Sequence, residues 1–166
     1  MTVELSVKHD LPCTPERFWE IYWDVGFQQK LAQVVRLKEH TVVSDEDSVT
    51  CRTASVFISP QREFPSVVRR VVKNATAAFV EDRRWVKAES CVYWNVRPQA
   101  LEGRANCQGT LRVTATATGC ERLIEGEVTV RLMGVGGLVE RLVASNVTES
   151  LNASAGLIAA WDKGEV

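Results

Sequence analysis

The chain has almost no excess of charge, few histidines and no closely spaced cysteines. Twenty basic residues face 21 acidic ones, for a net charge of −1. No basic surplus is left to neutralise a phosphate backbone, so a nucleic-acid partner is not expected. Two histidines, His9 and His40, and five scattered cysteines share no metal-ligand spacing, and no CxxC occurs. Neither a metal nor another cofactor is expected. No Ser-His-Asp or Cys-His arrangement is recognisable. No apolar run approaches the roughly 18 residues that a spanning helix needs. The opening MTVELSVKHDL alternates and carries charge, unlike an export or transit signal. The expected compartment is the cytoplasm. There Cys13, Cys51, Cys91, Cys107 and Cys120 stay free thiols, and the sequons at Asn74, Asn146 and Asn152 are chance.

What is present suits one globular domain over residues 1–166, at 45% hydrophobic and 25% charged residues. Val3, Leu5 and Val7 alternate with Glu4, Ser6 and Lys8 as in a half-buried strand. In CTPERFWEIYWDVG, Thr14 can cap a helix, Pro15 suits its first position, and Phe18, Ile21, Tyr22 and Val25 follow helical spacing, with Gly26 as the stop. A second short helix is expected over Phe27–Gln33. From about Val34 to Met133 the pattern is mostly strand. VVRLKEHTVV and VTCRTASVFI flank the turn-rich SDEDS. FPSVVRRVV suits one or two helical turns; ATAAFVED and ESCVYWNV read as strands on either side of Trp85.

The clearest hairpin comes last. Leu111, Val113, Ala115 and Ala117 face one way in its first strand, and Ile124, Gly126, Val128, Val130 and Leu132 in its second. GVGG reads as a tight turn that needs glycine's freedom. Glu140 then sits in the first helical turn, where the dipole favours an acid. A helix of about 27 residues follows, by 3.6-residue spacing. Its inward stripe is read as Leu138, Val139, Leu142, Val143, Asn146, Val147, Ser150, Ala153, Ser154, Leu157, Ile158 and Trp161. A shift by one position would instead turn Val147 and Leu151 inward. The order of elements gives an α+β sandwich, a curved antiparallel sheet of about six to seven strands with one long helix against a face and two short helices after strand 1.

Particular segments carry a resemblance: LPCTPERFWEIYWD, FPSVVRRVV, the lone Trp85, RPQALEGRANCQGTLRV, and EGEVTVRLMGVGGLVERLV. In this order the chain resembles the helix-grip fold of the START-like (SRPBCC, Bet v 1-like) superfamily, and within it the DUF2505 family. The resemblance implies a sheet that grips the long helix and a cavity between them for a lipid, sterol or polyketide-like molecule. The short, polar side chains in the middle of the helix would roof that cavity. The expected lining is Val92 and Trp94 in one strand, Leu111, Val113, Val128 and Val130 in the last hairpin, and Leu142, Asn146, Ser150 and Ser154 on the helix.

The leading expectation is a carrier or sensor of a hydrophobic small molecule, without catalysis and with transient membrane contact as a further role. One rival is a cyclase or dehydratase in which Tyr93, His40 or Arg97 points inward. A charged or titrating group in the pocket would favour that rival. The other is a ligand-free interaction module marked by an exposed apolar patch.

Overall fold

Strand β1 (Thr2–Leu11) alternates as its sequence implies, with Leu5 and Leu11 buried. Thr14 then caps α1 (Pro15–Tyr22) by accepting from the Arg17 amide, with Pro15 in the first turn. The helix stops sooner than the apolar spacing suggests. Asp24 caps a new helix, α2 (Val25–Val34), by accepting from the Phe27 amide at 2.8 Å. Val25 and Gly26 therefore open α2 rather than close α1, and Val25 is exposed.

Next come β2 (Leu37–Asp47) and β3 (Cys51–Pro60). Most of SDEDS is strand rather than turn. Asp45 pairs in register with Ala54, its carboxylate accepts two hydrogen bonds from Arg52, and Ser48 closes the turn by bonding the Cys51 carbonyl. Then follow α3 (Ser66–Val71), β4 (Phe79–Val86), β5 (Cys91–Pro98), β6 (Ala105–Thr116), β7 (Gly119–Val130) and α4 (Gly136–Asp162). Trp85 lies late in β4, which begins and ends some four residues beyond the expected strand ATAAFVED. Ala115 and Ala117, expected inward, are exposed where the β6–β7 hairpin outruns the core. Gly134 does adopt the left-handed conformation expected of GVGG, with φ at 82°.

The structure, a computed structural model, describes residues 2–72 and 76–166; the Asn74 sequon lies outside them. All strands pair antiparallel in one seven-stranded sheet, ordered β1-β7-β6-β5-β4-β3-β2. Its inner face carries Val7, Ile124, Leu111 and Val92 in register, with Leu5 two residues along β1, and helices α1, α2 and α4 lie over it. One apolar cluster joins these residues to Phe18, Trp19, Ile21, Phe27, Leu157 and Ile158. A second, around Val128, Val130 and Val139, is closed by Val68 and Val72 at α3. Helix α4 packs chiefly on β1 and β7. Among the described residues no helix is long and apolar enough to cross a membrane.

Candidate functional site

The middle of α4 does not lose its apolar grip. Val147 and Leu151 pack on the first cluster, with Ser154, Leu157 and Ile158 buried beyond them. Asn146 and Ser150 are exposed, so they do not roof the interface. The expected stripe fails in its middle, where Leu151 packs inward and Asn146 and Ser150 do not, while Val147 faces inward as read. The two branched apolar side chains, both half-buried, take the inward positions, and Asn146 accepts from Arg62 at 2.9 Å. Ser154 is inward as expected, 6% exposed, but it accepts from Arg122 and donates to the Leu151 carbonyl. Leu142 is half-buried, while its neighbour Val143 joins the second cluster.

The strand residues come together as read. Val92, Leu111, Val113, Val128 and Val130 are all buried on the inner face. Trp94 sits among them, half-buried, opposite Gly109, which in turn faces Gly126. A β-carbon on Gly126 would fall 2.7 Å from the Trp94 ring. The two glycines thus leave room for the indole to lie across the strands.

The inner face also holds polar groups that the sequence reading passed over. Glu81, Arg83 and Trp85 alternate inward on β4, opposite Val96, Trp94 and Val92. Arg83, its side chain 12% exposed, donates to Glu81 at 3.1 Å, and its guanidinium lies 5.7 Å from the Tyr22 ring. Burial opposes its charge, but Glu81 and Tyr22 more than compensate and raise its pKa. Burial also raises the Tyr22 phenol, with Arg83, Glu81 and Arg122 all within electrostatic reach. His40 lies opposite the buried Ile58, and burial, followed by Arg83, lowers its pKa. Cys107 is pushed up to about 12 by burial, with Glu81 adding to the shift.

Arg122, also within electrostatic reach of Tyr22, is 2% exposed. It donates to Ser154, to the Leu151 carbonyl and to Nδ1 of His9. Among the described residues no carboxylate pairs with it, and burial pushes its pKa down to about 10. A parity argument could have found both groups. Arg122 shares the face of Ile124 and Val128, and His9 that of Leu5 and Val7. Neither Tyr93 nor Arg97 points inward. The Tyr93 hydroxyl donates to Glu89 and Arg97 pairs with Asp82, on the opposite face.

An open trough of about 1000 Å³ crosses the sheet on the outer side, walled by Glu4, Glu125, Glu127, Gln108, Asp82 and Arg84. Its rim carries charged side chains of both signs and it lies open to solvent, so it does not enclose a small molecule. The inner face, with its aromatic and branched side chains, is the better candidate site.

A family model described as "Protein of unknown function (DUF2505)" matches residues 6–161. No curated protein matches the chain significantly. Solved structures match over nearly its full length. The protein TTHA0849 from Thermus thermophilus is 14% identical, with 95% of this chain and 94% of that one covered and a TM-score of 0.66. The Zhui aromatase/cyclase from a Streptomyces species is 14% identical, with 96% and 94% covered and a TM-score of 0.63. Norcoclaurine synthase from Thalictrum flavum, in complex with dopamine and hydroxybenzaldehyde, is 16% identical, with 100% and 89% covered and a TM-score of 0.66. At such identities the likeness is one of fold: the Bet v 1-like helix grip.

Proposed function

The chain belongs to the DUF2505 family, and from that premise we propose that it binds a small molecule with a largely apolar body between the inner face of its sheet and helices α1 and α4. One observation carries the reading. Helix α4 packs chiefly on β1 and β7, and across from it Trp94 lies half-buried on β5 beside Val92 and Val96. An aromatic ring and branched side chains facing a helix, with a few polar groups among them, have the make-up of a small-molecule site. Of the residues expected to line it, Val92, Trp94, Leu111, Val113, Val128 and Val130 stay in the proposal, with Leu142 at its margin. Ser154 serves by holding Arg122. Two similar folds belong to proteins named for small-molecule chemistry, an aromatase/cyclase and a synthase with dopamine and hydroxybenzaldehyde bound.

A second reading, catalysis on the bound molecule, is favoured by a specific observation. Glu81, His40 and Tyr22 are titratable groups gathered around Arg83 on the inner side. In that reading His40 or Glu81 moves a proton while Arg83 holds the developing negative charge.

Native mass spectrometry of the protein after incubation with mixed fatty acids, sterols and aromatic polyketides tests the binding. An adduct of a few hundred daltons is expected, lost when Val147→Trp fills the helix side of the site. A clean mass across the whole panel would overturn the reading. Chemical change of the retained molecule, abolished by Glu81→Gln, would promote catalysis over carriage.

A further inference from the structure

Besides Nε of Arg122, three buried N–H donors on the inner face have no acceptor among the described residues: Nε1 of Trp23, Nε1 of Trp85 and Nε of Arg83. They belong to one patch. The Trp23 and Trp85 rings lie 6.0 Å apart, Arg83 and Trp85 alternate on the same face of β4, and Arg83 faces Tyr22, the residue before Trp23. The contrast is Trp19, which stacks on Trp85 at 5.0 Å and whose own indole donates to Ser90 at 2.9 Å. Buried donors in folded proteins are nearly always satisfied, so three neighbours without acceptors call for a group the chain does not supply.

Charge narrows the choice. Around Tyr22 lie two guanidinium groups, Arg83 and Arg122, and one carboxylate, Glu81. Glu81 pairs with Arg83, and Arg122 has only neutral partners, Ser154, His9 and a carbonyl. A cationic head would meet repulsion here. A neutral one would leave the surplus cation unanswered. A carboxylate accepts from a guanidinium and from indole N–H groups together, and such charge-assisted bonds are the stronger kind.

Resting on the binding reading above, we infer that the molecule held on the inner face carries an anionic head group, a carboxylate, seated against Arg83 with Trp23 and Trp85 donating to it. Its apolar body then runs toward Trp94, Val92 and Val96.

Paired calorimetric titrations of the intact protein with dodecanoate and dodecanol test this, since the two share a tail and differ in the head. Dodecanoate is expected to bind at least tenfold more tightly. Arg83→Gln should bring that ratio close to one, and Glu81→Gln, which frees Arg83, should raise it several-fold. The second variant keeps the test decisive if circular dichroism shows that the first does not fold. Equal affinity for acid and alcohol, as when buried water serves the three donors, overturns the inference and leaves the binding reading standing. A ratio that Glu81→Gln does not raise also overturns it. Failure of both probes to bind overturns the inference together with the reading it rests on.

Discussion

Arg122 donates from Nη2 to Nδ1 of His9 at 3.0 Å, and Nε2 of the same ring meets Asn152 Oδ1 at 2.8 Å. A guanidinium can only donate, so Nδ1 is the bare nitrogen and the proton sits on Nε2. Protonating Nδ1 would set two cations face to face. Burial lowers the His9 pKa from 6.5, with Arg122 contributing, although Asn152 works the other way.

The stability consequence has a definite sign. Below about pH 7 the unfolded chain takes up a proton that folded His9 refuses, so the unfolded state binds more protons. The melting temperature is therefore expected to hold above pH 7.5 and fall as pH drops through 6.5 toward the lower folded value. His40, also lowered by burial, adds to the same slope. His9→Gln should flatten part of it. A wild-type curve that stays level from pH 7.5 to 5.5 would show that the ring is not held neutral.

Gly126 predicts a steric cost. A methyl group there would lie 2.5 Å from the Gln108 carbonyl oxygen and 2.7 Å from the Trp94 ring, and the backbone oxygen cannot move aside. Gly126→Ala is expected to destabilise by about 1–3 kcal/mol, as overpacking does. Gly156 is the control. It is an exposed helical glycine with nothing within 4 Å of the added carbon, and Gly156→Ala should stabilise by roughly 0.5–1 kcal/mol. Urea midpoints at unchanged slope measure both.

The order of elements along the chain and the long helix were legible because period-2 and period-3.6 patterns are strong in β1, β7 and α4. The helix face in the middle of α4 was not. From Asn146 to Ser154, small polar and apolar residues sit one position apart, so hydropathy does not decide between two stripes; the sheet decides, by packing against Val147 and Leu151. Glu81 and Arg83 were hidden differently. In EDRRWV both faces of the strand carry charge, and only the pairing of Trp85 with Val92 shows which one turns inward. Arg122 and His9 were within reach, since each continues an inward parity that had been credited only where it was apolar.

Glu140 predicts a buried hydrogen-bond cost rather than the dipole effect that its place in the helix suggested. The residue is fully buried and its Oε1 accepts from the Val130 amide at 3.1 Å, tying α4 to the end of β7. Glu140→Leu removes that acceptor and should destabilise by about 1–3 kcal/mol, whereas Glu140→Gln keeps an oxygen there and should cost less. Equal losses in a denaturant titration would mean that charge, not the bond to Val130, is what matters.

Arg62 predicts a kinetic effect without a large thermodynamic one. From the segment between β3 and α3 it reaches Asn146 and Glu149 of α4, at 2.9 and 3.3 Å, joining the far side of the sheet to the helix. Both charged partners are mostly exposed, so the pair is worth at most about 1 kcal/mol and Arg62→Ala should barely move the urea midpoint. If the inner face holds a ligand, this strap has to part when the molecule leaves. Release of dodecanoate, followed by stopped-flow tryptophan fluorescence, is then expected to quicken several-fold in Arg62→Ala while the tail contacts stay the same. An unchanged release rate would place the exit elsewhere, along the α1–α2 side.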